Sequence, residues 1–348
     1  MSLKELLVLC MQQDASDLHL TEKEPPILRK DGKLIRTSWP ALGRDELKNM
    51  IYAVLTDEQK KLFEQDLRLD IALALPGLDR FRVNIHLQKG AVEGAFRHLP
   101  SKIPSVAELG LLPVVSELAR KHNGLVLVTG PTGQGKTTTL AAMINLINND
   151  RECIIVCIED PIEFVHTNKK SVIKQREVYS DTHSFADALR DSLRQDPNVI
   201  VVGEMRDLDT ISTALTAAET GHLVLATLHT RNAPQTIERI IDVFPPQQQL
   251  QIKLQLADCL QGIVSQLLLP SASGSGRVLV TEIMVCNHAM RNLIREHHLT
   301  QIPSAMQSGA EQGNITMDRH LKDLYKKGQI TLEVAQAYAH DSHEFKQL

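Results

Sequence analysis

Aromatic residues are scarce in this sequence: one Trp, four Tyr and seven Phe, 3% of 348 positions. Single-stranded nucleic acid is held by stacking on such rings, so their scarcity speaks against that class of ligand. Charge of one sign is lacking too. Lys and Arg number 38 against 42 Asp and Glu, a net charge of −4, so no global basic field draws the chain to nucleic acid or acidic lipid, although local basic patches stay open. Five scattered cysteines, with no Cys-x-x-Cys pair, exclude a disulfide framework in a chain this long and point to a reducing compartment. Cys153 and Cys157 fall within an apparent core strand and read as buried apolar groups, and His297-His298 reads as a surface doublet, so no zinc is assigned. Long hydrophobic runs are missing as well. The apolar run Leu6 to Met11 has six residues, too few for a signal peptide or a bilayer crossing. The expectation is a whole chain kept in the cytoplasm, with no direct membrane span and any membrane attachment made through a partner.

The length suggests two domains. Residues 1–99 read as a small α+β domain. A helical opening precedes the alternating Ser16-Asp-Leu-His-Leu20, and turns are marked by Pro25-Pro26 and Asp31-Gly32. Apolar residues at helical spacing follow between Asp45 and Asp66. Strand patterns then come at Asp70 to Leu75, Arg80 to Ile85 and Ala91 to Phe96. Pro100 and Pro104 bracket a stretch poorly suited to helix, which puts a linker at 100–110. Residues 111–348 alternate apolar β-rich runs with helical patterns: Leu125 to Thr129, Ile154 to Ile158, Val199 to Val202 and Leu223 to Leu228. That order predicts an α/β domain with a parallel-rich sheet covered on both faces. A Gln-rich helix is expected from Pro245-Pro246 to Leu269, then a flexible Ser271 to Gly276 link, a strand over Arg277 to Cys286, and helices to the end.

Gly130-Pro131-Thr132-Gly133-Gln134-Gly135-Lys136-Thr137 matches G-x-x-x-x-G-K-[ST], directly after a strand pattern and before the helical pattern Thr138 to Ile147. Glycines there let backbone N–H groups turn inward around phosphates, and the helix N-terminus adds partial positive charge. Lys136 would reach the β/γ-phosphates and Thr137 would bind Mg2+, which makes the chain an ATP-binding candidate. Asn198 to Glu204 is an apolar strand ending in an acid. Gly203 stands where an Asp is usual, leaving Glu204 to hold the metal through water. Ile158-Glu159-Asp160-Pro-Ile-Glu163 supplies carboxylates for orienting a water in hydrolysis, or plain surface charge. His229 ends a strand where open α/β sheets place ligand contacts, and His222 precedes that strand. Each is a phosphate sensor, a loop brace or a structural histidine.

These motifs together resemble the type II/IV secretion ATPase superfamily. Gly124 to Met143 resembles its Walker A region, Ile158 to Phe164 its Asp box, Val202 to Asp207 its Walker B, and Ala217 to Thr230 its His box. Ala15 to Leu20 and Ala289 to Glu296 are similar to the branch that retracts type IV pili. The resemblance implies a PAS-like N-terminal domain, a RecA-like P-loop NTPase domain and a homohexameric ring. It implies Glu163 as catalytic base, Glu204 as Walker B acid, His222 and His229 as His-box residues, and Arg82 and Arg97 as arginines reaching the nucleotide's phosphates. The walls of the nucleotide site would be Gly130 through Thr138. The implied work is MgATP hydrolysis coupled to pilus retraction through an inner-membrane platform protein, with a paralogous retraction ATPase as a further partner. No tetracysteine site is present, which argues against the extension and type II secretion branches. Details of Asn314 to Leu321 leave both the principal motor and an accessory paralogue open. Other readings are a secretion or conjugation ATPase, a nucleic-acid translocase and a non-hydrolysing ring subunit. The net charge and the rarity of aromatics oppose the translocase. The complete set Lys136, Glu163 and Glu204 opposes the last.

Overall fold

Within the first hundred residues, alternation of apolar and polar side chains is clearest from Arg80 to Ile85, where Phe81, Val83 and Ile85 are buried. The computed structural model describes residues 2–30, 32–99, 102–341 and 345. Asp31 of the expected turn, and Pro100 and Ser101 of the expected linker, lie outside the described residues. The chain divides into two compact units, Met1–Lys102 with Pro161–Val165, and Ile103–Asp160 with His166–Leu348.

The first unit contains α1 (Leu3–Gln12), β1 (Asp17–Leu20), β2 (Ile27–Lys30), β3 (Lys33–Arg36), α2 (Arg44–Tyr52), α3 (Asp57–Asp66), β4 (Arg68–Leu73), β5 (Arg80–Gln88) and β6 (Ala91–Leu99). Helix α1 starts where the Ser2 hydroxyl accepts from Glu5 N–H while the Glu5 carboxylate accepts from Ser2 N–H. The polar stretch from Asp45 to Asp66 is two helices because the Thr56 hydroxyl caps a new start, accepting from Gln59 N–H. The strands form one antiparallel sheet, β3-β2-β1-β6-β5-β4. Leu18, Phe81, Val83, Ile85 and Phe96 belong to one core with Leu6, Leu7, Leu47, Ile51 and Phe63 of the helices. Gly94 lets α2 approach the sheet, since a Cβ there would lie 2.7 Å from the Phe96 ring and 3.4 Å from Ile51. The alternate positions of the strands bring Arg82, Arg97, Asp17 and Arg29 into one cross-strand row.

The second unit contains α4 (Pro113–Ala119), β7 (Gly124–Thr129), α5 (Lys136–Asp150), β8 (Ile154–Glu159), β9 (Val172–Glu177), α6 (Phe185–Ser192), β10 (Val199–Val202), α7 (Leu208–Glu219), β11 (Leu223–Leu228), α8 (Ala233–Asp242), α9 (Pro246–Cys259), β12 (Leu260–Pro270) and β13 (Arg277–Val285). Among the described residues, α-helices α10 (His288–Arg295), α11 (Ile302–Ser308), α12 (Met317–Lys326) and α13 (Leu332–Tyr338) follow. The sheet order is β13-β12-β7-β11-β10-β8-β9, parallel throughout except for the antiparallel β12–β13 edge pair. Alternate strand residues serve two cores. Leu125, Leu127, Ile200, Val202, Val224 and Ala226 pack on one side with α7 and α8. Val126, Val128, Val199, Val201, Leu223 and Leu225 pack on the other with α4 and α5.

Three expectations need correction. The Gln-rich helix stops at Cys259, and Leu260 to Pro270 is a strand instead of the helix expected to Leu269. Gly262 explains the change: a Cβ there would lie 2.8 Å from a Leu118 methyl and 2.9 Å from the Met284 carbonyl oxygen, so the strand packs tightly against α4 and β13. Ser271 to Gly276 is the turn of the resulting hairpin. Cys153 lies just before β8, its thiol 3.2 Å from the Ser171 hydroxyl, while Cys157 is buried inside the strand, where burial holds its thiol protonated well above the usual range.

Candidate nucleotide-binding site

The C-terminal ends of β7, β11, β10 and β8 lie side by side, because these strands are parallel neighbours in register. Gly130, Glu204 and His229, each one or two residues past its strand, therefore gather at one edge of the sheet. The loop from Gly130 to Gly135 needs its glycines. Gly130 has φ +145° and a Cβ there would sit 2.4 Å from the Gln266 carbonyl oxygen, while Gly133 and Gly135 take φ near +80°. Helix α5 opens at Lys136, whose buried ammonium donates to the carbonyls of Gly130 at 2.7 Å and Pro131 at 3.0 Å. Thr137 and Thr138 follow in the first turn, half-buried.

Three sequence boxes meet through side chains. The Glu204 carboxylate lies 3.0 Å from His229 Nε2 on one oxygen and accepts from Arg206 at 2.6 Å on the other. His229 Nδ1 stands 3.2 Å from the Thr132 hydroxyl of the phosphate loop. With Nε2 facing a carboxylate it carries the proton, which leaves Nδ1 to accept from Thr132 when the ring is neutral. Burial raises the Glu204 pKa, but the Arg206 hydrogen bond, His229, Arg206 and Lys136 outweigh it and hold the carboxyl below the usual range. Glu204 is thus an ionised acid at neutral pH. Gly203 leaves room for β8, since a Cβ there would be 3.2 Å from the Ile158 carbonyl oxygen.

His222 is not part of this cluster. It precedes β11, whose six residues separate it from His229 by roughly 20 Å along the strand. Its Nδ1 lies 3.0 Å from the Ala217 carbonyl at the end of α7, and its own carbonyl accepts from Gly124 N–H. Glu159 ends β8 and accepts from Gln175 Nε2 at 2.9 Å. Glu163 is half-buried in Pro161–Val165, the segment that groups with the first unit. Arg82 and Arg97 stand directly opposite each other on β5 and β6, and Arg97 Nε donates to Asp17 at 2.9 Å. Sequence reasoning missed Gln266, which donates through Nε2 to the Gln134 carbonyl at 2.6 Å and accepts from the Thr139 hydroxyl at 2.9 Å. Arg206 and Arg277 were missed as well; the latter donates to the Gly133 carbonyl at 3.4 Å.

The profile of the family described as "Type II/IV secretion system protein" matches residues 2–275. The type IV pilus retractation ATPase PilT of Pseudomonas aeruginosa is 48% identical over 339 residues, 97% of this chain and 98% of that protein. The type IV pilus ATPase PilU of the same organism is 37% identical over 346 residues, 99% of this chain and 91% of that protein. Among solved structures, the crystal structure of the pilus retraction motor PilT with bound ADP superposes with a TM-score of 0.93 at 47% identity, covering 100% of both chains. The similarity to these proteins runs along nearly the whole chain. This protein belongs to the type II/IV secretion system protein family.

Proposed function

We propose that this chain is an ATPase that drives retraction of type IV pili. The observation that carries the reading is the linked chain Thr132–His229–Glu204–Arg206, which ties the phosphate loop to the acid that follows β10. It is supported by similarity to a retraction ATPase across 97% of the chain and to an ADP-bound retraction motor. The second unit acts as a RecA-like ATPase domain and the first as a PAS-like domain. Backbone N–H groups from Gly130 to Thr138 bind the phosphates, and Lys136 turns from its loop carbonyls to the β/γ-phosphates. The Thr137 hydroxyl and the ionised Glu204 are oxygen groups suited to Mg2+, which neutralises phosphate charge when bound. Glu163 orients the attacking water, and His229 reports the loop's occupancy to Glu204. His222 sits too far along β11 to serve the same phosphate, so its part in hydrolysis is played on another surface of the assembly. The assembly is a homohexamer working with an inner-membrane platform protein. Identity of 48% to PilT against 37% to PilU favours the principal motor over the accessory one.

The test is ATP turnover with and without DNA. Turnover should not respond to DNA, and Lys136→Ala should abolish it together with MgATP binding. DNA-stimulated hydrolysis would transfer the chain to the translocases, and near-normal turnover of Lys136→Ala would remove the phosphate loop from the site.

A further inference from the structure

Strand β12 runs alongside β7 only as far as Ser265 opposite Thr129. Beyond that point β7 turns away into the phosphate loop, while β12 continues to Pro270 paired with β13 alone. The overhang leaves an edge with backbone groups that β7 no longer reaches, and buried groups of that kind need partners. Gln134, inside the loop, supplies one: its side-chain Oε1 accepts from Leu268 N–H. In return the buried Gln266 side chain donates through Nε2 to the Gln134 backbone carbonyl at 2.6 Å. The Gln266 amide is fixed in this orientation because its Oε1 accepts from the Thr139 hydroxyl on the first turn of α5, at 2.9 Å. Gly130 rests on the Gln266 carbonyl, with no space for a Cβ. One residue of β12 therefore touches the beginning, the middle and the helical end of the loop.

We propose that Gln134 and Gln266 form a reciprocal brace that holds the phosphate loop in its phosphate-receiving shape, and that both are positioning residues for nucleotide binding. The inference rests on the nucleotide reading above. A six-residue glycine-rich loop, Gly130 to Gly135, loses much conformational freedom when it closes around phosphates. A loop already tied at Gln134 has lost part of that freedom before the ligand arrives, so the bound state is reached more readily. The two side-chain amides of the brace are spent on protein groups, not on phosphate. Its two hydrogen bonds join residues 132 and 134 positions apart in sequence, which is why no local motif reports them.

The experiment is calorimetric titration of the full chain with MgADP, alongside steady-state ATP hydrolysis. Gln134→Ala removes the bond to Leu268 from the half-exposed side. Gln266→Met removes the buried amide at nearly constant volume. Each loss should raise the MgADP Kd about three- to tenfold, the range expected for one or two neutral hydrogen bonds. KM for ATP should rise more than kcat falls. The double variant should bind more tightly than the product of the single effects predicts, because both bonds restrain one segment. If Gln266→Met does not fold, Gln134→Ala decides by itself. A Kd within about twofold of the unaltered chain, even with a lowered Tm, would overturn the brace and leave a structural contact only. Fully multiplicative effects would overturn its reciprocity. Failure of the unaltered chain to bind MgADP would overturn the nucleotide reading itself.

Discussion

Burial and charge compete at single residues here, and the winner differs from one to the next. At Glu204 neighbouring cations overcome burial and keep the acid ionised. At His166 burial wins: it and Lys169 push the imidazole pKa down to about 4 from the ordinary 6.5. His320, buried against Thr281, is also lowered, again by burial first. A histidine with a depressed folded pKa stays neutral in the native chain while the unfolded chain takes up a proton. Between pH 6.5 and about 4 the unfolded state therefore binds more protons, and stability falls as pH falls. From pH 7 to pH 5, His166 should cost about 2 kcal/mol of unfolding free energy. Urea unfolding at the two pH values checks this, and His166→Asn should flatten the difference; an equal loss in both proteins rejects the assignment. Neither histidine announces this behaviour in the sequence, since burial at these positions comes from packing with distant elements. The loop glycines, Lys136 and Glu204 were legible because strand, turn and helix signals surround them within a few residues. The position of His222 was hidden for the opposite reason: closeness to His229 in sequence becomes distance once the intervening residues extend as β11.

Among the elements, the strands with continuous apolar runs (β7, β8, β10 and β11) could be read directly, because a parallel strand covered on both faces needs no alternation. Strands β2, β3 and β9 were illegible. They carry Lys, Arg and Gln at sheet positions where partial exposure costs little. Strand β12 was mistaken for helix because its Leu and Gln content favours helix, while the tight contact at Gly262 and pairing on both sides decide otherwise. Helix α10 teaches a similar lesson. Its apolar side buries Met290 and Ile294. By spacing alone, Arg291 and Arg295, four apart, fall on the polar side of such a helix. Instead Arg291 donates to the carbonyls of Ala257 and Asp258 at the end of α9, and Arg295 pairs with the Asp258 carboxylate at 2.6 Å. These are helix C-terminal carbonyls with no intrahelical donor, and cations there also suit the helix dipole. Changing both arginines to Ala should lower unfolding free energy by about 1–3 kcal/mol, read from urea midpoints, before any effect on movement is interpreted. Unchanged stability with lost pilus retraction would instead assign the pair to coupling.

For the whole molecule, two cations of the first unit bear on how many chains make one working site. Arg82 and Arg97 face each other across β5 and β6, and like charges directly opposite on a sheet are unfavourable. Asp17 compensates Arg97 from the next strand, yet the Arg97 side chain stays 59% exposed. A cationic pair kept at such a cost fits a surface that meets an anion. The proposed ring supplies one, since repeated head-to-tail contacts close into a cycle when the rotation allows. The chain should then run as a hexamer in light scattering. Arg82→Ala and Arg97→Ala should each lower turnover, by on the order of 10³-fold if the residue acts as an arginine finger, with the hexamer intact. Mixing gives the sharper measurement. Subunits carrying Arg97→Ala and subunits carrying Lys136→Ala should each show little or no turnover alone. If the arginine serves a neighbour's nucleotide, mixed rings contain some sites with both groups intact, and turnover returns. If it serves its own subunit, no site in the mixture is complete and turnover stays lost. A monomer hydrolysing ATP at the full rate would reject the ring and the trans-acting arginine together.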